Sequence, residues 1–168
     1  MKPLKEQIEE LLNKLELMFD YEEEAELFTF DIQTKYAVVS TIIAYDENKM
    51  IIENVGYVPV CLPKENTTEL LYLINKIHNK SDGRCCFCLE ENNKLLAKSL
   101  IDIPKEGINE EVFNYFVFST CDFFDQYYNE FMTIAFKKAT DDEPKNETGE
   151  KSDSIRSILI LQGDKTSN

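Results

Sequence analysis

The sequence predicts an α+β domain: an antiparallel sheet of about five strands with three helices, in the order α-β-β-β-α-β-β-α. Three observations carry this expectation. Apolar residues recur every three or four positions in three separated segments, the signature of amphipathic helices. Three stretches of alternating apolar residues follow one another across short polar connections, which suit only antiparallel neighbours. A further pair of such stretches flanks the polar turn Glu91-Asn92-Asn93, a hairpin by pattern.

The first helix is predicted over residues 3–19. Leu4, Ile8, Leu11, Leu12, Leu15, Met18 and Phe19 share its apolar stripe, and Pro3 suits the first turn, where a missing N–H costs nothing. The acidic run Asp20, Glu22, Glu23, Glu24 and Glu26 then reads as a solvated loop. From Ala25 the period becomes two, with Phe28, Phe30 and Ile32 on one side. Residues 36–45 are apolar on both sides and predict a central strand, and residues 50–58 predict a third that Pro59 and Pro63 bring to an end.

Asn66-Thr67-Thr68-Glu69 has the form of a capping box and opens a helix to about Asn79, striped by Leu70, Leu73, Ile74 and Ile77 and stopped at Ser81-Asp82-Gly83. Strands are expected over 84–90 and 94–103. Asn109 is the expected N-cap of a long last helix to about Ala139, with Ile108 and Phe113 spaced as a hydrophobic staple. Residues 1–139 are therefore expected to form a single domain. Residues 140–168 read as a polar flexible tail, with Pro144, Gly149 and many charges, carrying a short apolar segment at 155–161.

Composition narrows the function. With 168 residues, 43% apolar, the chain can build a core without disulfides or a structural metal. The formal charge of −14 opposes nucleic acid and an anionic membrane alike, because phosphates are held by clustered Lys and Arg. The N-terminal residues lack the apolar core of a signal peptide, and five cysteines, an odd number, then suit reduced thiols in a cytoplasmic protein.

No constellation for catalysis emerges. The one histidine, His78, falls at a helix end without evident partners. Cys85-Cys86-Phe87-Cys88 is conspicuous, but in a strand Cys86 and Cys88 face one way and Cys85 the other, so the three do not converge on one ion. The five isolated glycines assemble neither a phosphate loop nor a dinucleotide fingerprint. Asp46-Glu47-Asn48 lacks the glycine and closing Glu of a calcium loop. The sequence thus implies no enzyme, no cofactor and no metal.

Four segments together resemble the YbjN-type family, candidate bacterial sensory transduction regulators, whose fold is shared with type III secretion chaperones. They are Phe28-Thr29-Phe30-Asp31-Ile32 leading into Ala37-Val38-Val39-Ser40, Val58-Pro59-Val60 before Asn66, the hairpin from Cys86 to Ile101, and Asn109-Glu110-Glu111-Val112-Phe113. The resemblance covers residues 4–139. It implies a type III secretion chaperone-like fold in a small cytoplasmic, non-enzymatic protein that binds a polypeptide, often as a homodimer. The doubly apolar strands separately point to a sheet or groove surface for such a partner: Val39, Ile43, Ile52 and Val58 on one face, Val38, Ile42, Ile51 and Val55 on the other. The first four, with Ile158 and Leu159 of the tail, are the expected partner-binding residues. The alternative is a small metal-binding or thiol redox protein using Cys86, Cys88 and His78.

Overall fold

The computed structural model describes residues 2–90 and 93–137. They form α1 (Leu4–Lys14), β1 (Asp20–Glu22), β2 (Leu27–Gln33), β3 (Val38–Asp46), β4 (Ile51–Cys61), a 3₁₀ turn (Lys64–Asn66), α2 (Thr67–His78), β5 (Cys85–Leu89), β6 (Lys94–Asp102) and α3 (Glu110–Ala135). The strands make one antiparallel sheet in the order β1-β2-β3-β4-β6-β5. The α+β class and the helix and strand order are those the sequence predicts, with a sixth strand added. That strand, β1, lies in the acidic run expected to be a loop, where Tyr21 pairs with Phe28 and packs tilted against its ring, the centroids 4.8 Å apart.

Register fixes two faces. Phe28 lies opposite Ile43, Ile32 opposite Val39, Ile52 opposite Ile101 and Phe87 opposite Ala97, so these side chains share one face. Against one half of it α1 packs Leu4, Ile8, Leu11 and Leu12 onto Phe28, Ile43 and Ile52, with Phe113 and Phe116 of α3. Against the other half α2 packs Leu70, Leu73, Ile74 and Ile77 onto Val39, Val58 and Phe87, with Phe124 and Phe131 of α3. Full burial of each such side chain is worth about 1.5–3 kcal/mol. Phe87 pins the edge strand β5, its ring stacked on Phe123 at 4.5 Å and edge-on to Phe131 at 4.8 Å.

The central strand is tied to α3 by a buried amide. Asn54 Nδ2 donates to the carbonyl oxygens of Phe116 at 2.8 Å and Val117 at 3.0 Å. Beside it Gly56 lets the helix close in, since a Cβ there would lie 2.7 Å from Thr120 Oγ1.

Several boundaries differ from the expectation. The first helix stops at Lys14 because Glu16 turns left-handed, at φ 56°, so Met18 leaves the stripe and is 92% exposed. Pro59 does not end the third long strand; a register shift between Tyr57 and Cys61 absorbs it. The capping box at Asn66 does not form. Asn66 Nδ2 instead donates to the carbonyl of Ile134 at 2.8 Å, and Glu69 pairs with Lys137 at 2.9 Å. Asn109 does cap α3, accepting from Val112 N–H at 3.0 Å, and the helix runs to Ala135. The expected domain boundary at 139/140, the tail and its segment 155–161 lie outside the described residues.

Candidate functional site

The face of the sheet opposite the helices is the candidate site. Among the described residues its apolar clusters contain no helix residue: Leu27 and Ala44 pack with Ala25, Ile42 and Ile51, and Val55 and Leu96 pack with Ile42, Tyr57 and Cys88. A groove of about 690 Å³ opens on this face, walled by Glu16, Leu17 and Met18 and floored by Thr29, Asp31, Ser40, Ile42 and Tyr57. Glu16, Asp20 and Asp31 give it three carboxylates, and no basic side chain lines it. Lys94 Nζ sits over the Tyr57 ring, 3.6 Å from its centroid.

Between the two apolar clusters lies a buried charge pair. Glu53 is 3% exposed, with Oε1 3.9 Å from Lys98 Nζ and Oε2 without a hydrogen-bond partner among the described residues. Burial raises the pKa of the Glu53 carboxyl, and the Lys98 ammonium offsets part of that rise.

The structure divides the expected partner-binding residues. Val39, Ile43 and Ile52 are 0% exposed and Val58 2%, all beneath the helices, so they are core and not an open surface. The sequence pattern separated the two faces correctly but did not say which the helices cover. Ile42, Ile51 and Val55, read as the opposite set, belong to the uncovered face. Ile158 and Leu159 lie outside the described residues. Missed altogether was the groove wall at residues 16–18, hidden because Leu15, Met18 and Phe19 continue the helical period past the true end of α1.

His78 has a definite role. Its Nε2 accepts the Phe87 backbone N–H at 2.9 Å, closing one donor on the outer edge of β5. Cys86 and Cys88, two positions apart in β5, share the uncovered face, each half-buried. Cys85 and Cys121 are buried, and burial pushes their thiols up to about 12 and about 11. Among the described residues no three His, Cys, Asp or Glu side chains converge to hold a metal ion, and no helix is long and apolar enough to cross a membrane.

No family model and no curated protein matches the sequence. Solved structures do match the shape. YbjN from E. coli, described as a candidate transcription regulator, superposes with a TM-score of 0.53 over 79% of this chain and 90% of its own, at 14% identity. A chain of the ExsC–ExsE complex superposes with a TM-score of 0.57 over 78% of this chain and 97% of its own, at 12% identity. This is the type III secretion chaperone-like fold. At such identities the likeness is one of fold, and side-chain roles have to be argued from this chain alone.

Proposed function

We propose that this chain is a non-enzymatic, cytoplasmic, chaperone-like module that holds an extended segment of another polypeptide on the uncovered face of its sheet, with the groove beside residues 16–18 as its seat. The observation that carries the reading is the one-sided placement of the three helices among the described residues, which leaves two apolar clusters and an acid-walled groove on the other face. The occurrence of the same fold in a protein–protein complex, that of ExsC with ExsE, supports it. The groove's three carboxylates favour a segment with Lys or Arg flanking an apolar residue and disfavour acidic ones. A homodimer formed through any other surface is compatible with this reading, since it would leave one such face available on each chain.

The test is affinity capture from the native cell with the full chain as bait, coupled to light scattering of the eluted complex. Ile42, half-buried on the groove floor, is replaced by Glu in one variant; Val112, 52% exposed on α3, is replaced by Glu in a second. The wild type and Val112→Glu are expected to retain the same partner, and Ile42→Glu to lose it by at least about tenfold, a difference of about 1.4 kcal/mol. Retention unaffected by Ile42→Glu, or no stoichiometric partner at all, would sink the reading.

A further inference from the structure

The middle of the face that the helices leave uncovered is drier than an open surface. Val55 and Leu96 are each 1% exposed and Glu53 is 3% exposed, as dry as the core beneath the helices. Yet among the described residues the apolar cluster of Val55 and Leu96 is completed only by Ile42, Tyr57 and Cys88, all half-buried and all on that same face. Beside this cluster, over β1, β2 and β3, lies the groove with the carboxylates of Glu16, Asp20 and Asp31 and no basic side chain. A segment that fits both has to bring an apolar run together with a positive charge and no carboxylate.

The chain itself contains a segment of that composition. In Ile155-Arg156-Ser157-Ile158-Leu159-Ile160-Leu161 every side chain is apolar except Ser157 and Arg156, and Arg156 carries the only charge. The stretch that joins it to α3 is the opposite, with Asp141, Asp142, Glu143, Glu147, Glu150 and Asp153, and a groove lined by carboxylates repels it. We propose that residues 155–161 occupy the uncovered face of their own chain, with Arg156 at the groove carboxylates and Ile158 to Leu161 over the cluster of Val55 and Leu96, and that a polypeptide partner binds by displacing them. The occupancy stands by itself; the displacement rests on the partner-binding reading above.

Size and reach both permit it. Seven extended residues cover about 23 Å, and six strands spaced about 4.8 Å apart extend over about 24 Å. Residues 138–154 separate Lys137, the last described residue, from Ile155. A chain of that length spans about 21–25 Å as a random coil and about 56–61 Å when fully extended. A path past a helix about 10 Å across and over half the width of the sheet falls within that reach. Tethering also sets the local concentration of the segment near the millimolar range, so contacts too weak to hold a free peptide suffice here. A partner then meets an apparent dissociation constant equal to its intrinsic one divided by the fraction of open faces.

The experiment uses the full chain. Arg156→Lys keeps the charge and places an amine at position 156, which a carbodiimide condenses with a touching carboxylate to an amide, itself taking up the water to become a urea. Peptide mapping by mass is expected to find position 156 joined within one chain to Glu16, Asp20 or Asp31, and Ile158→Glu with Leu159→Glu in the same protein is expected to abolish the product. In a second protein, those two Glu substitutions alone are expected to speed maleimide alkylation of the half-buried Cys88 at least about threefold, the gain when a face occupied two-thirds of the time is set free. The exposed Cys61 serves as the internal reference and should not change. A partner captured from the native cell should bind this protein more tightly by the same factor. The proposal is overturned if position 156 joins only other carboxylates, or if Cys88 reacts equally fast with and without the two Glu substitutions. Amides found only between chains, with a dimer by light scattering, would overturn it in favour of a second copy as the occupant. Equal partner affinity for the two proteins would overturn displacement. The cross-link and the alkylation involve no partner, so failure of occupancy is distinct from failure of the binding reading.

Discussion

Glu16 holds a backbone conformation that costs an L-residue about 1–2 kcal/mol. It sits at φ 56° just beyond α1, where Leu17 N–H reaches the Leu12 carbonyl at 3.2 Å and Glu16 N–H reaches the Asn13 carbonyl at 3.0 Å. These two bonds are the helix-ending motif that most often uses glycine at the left-handed position. Because glycine is absent, the sequence offers no stop signal, and the apolar period runs on through Met18 and Phe19. Replacing Glu16 with Gly should relieve the strain and raise stability by about 0.5–1 kcal/mol, after the larger entropy loss of glycine on folding is counted. Urea unfolding of Glu16→Gly beside Glu16→Val separates the causes: the Val variant should lose stability. If both move in the same direction, left-handed strain is not the controlling influence at this position.

At the scale of elements, what could be read from the chain was whatever is decided locally. The Asn109 cap, the β5–β6 hairpin and the period-two strands depend on residues within a few positions of one another, and they form as expected. The Asn66 capping box had an equally good local pattern, yet its amide is claimed by the Ile134 carbonyl, 68 positions away. Gly56 is a second case. In sequence it is a glycine inside a strand; in the fold its missing side chain is what admits Thr120 of α3 against β4. A Cβ at this position would meet Thr120 Oγ1 at 2.7 Å, Thr120 Cβ at 2.9 Å and Val39 Cγ1 at 3.1 Å. Gly56→Ala should therefore cost about 1–3 kcal/mol by overpacking. In a Thr120→Ala background, where the closest contact is gone, the same change should cost at least about 0.5 kcal/mol less. Identical costs in the two backgrounds would place the strain elsewhere than the β4–α3 contact.

At the scale of the whole molecule, the described residues give the sheet one face stabilised by three helices and another left to its own side chains. The alternation along β3 and β4 showed that both faces are apolar, but coverage depends on where the helices land, which no strand pattern encodes. Glu53 is the sharpest consequence of that asymmetry, because a carboxyl is buried on the face that none of the described helices covers, with one oxygen unpartnered among the described residues and one 3.9 Å from Lys98 Nζ. Its pKa is raised above the ordinary 4.5, first by burial, with Lys98 acting against the rise. The sign of the linkage follows. A carboxyl whose native pKa lies above its unfolded value contributes most to stability when protonated, below about pH 4.5, and that contribution is lost as pH rises through the native value. At neutral pH the Glu53 carboxyl is thus a burden that Glu53→Gln removes, so the variant should be the more stable protein there, and its advantage should shrink as the solution is acidified toward pH 4.5. Asp46, which the Lys49 backbone N–H and ammonium hold below the usual carboxylate range, has the opposite slope but is present in both proteins and cancels in the difference. Urea unfolding of the two proteins between pH 7 and pH 5 measures it. An advantage that stays constant or grows in acid would mean that the attraction of Lys98, and not burial, governs this carboxyl.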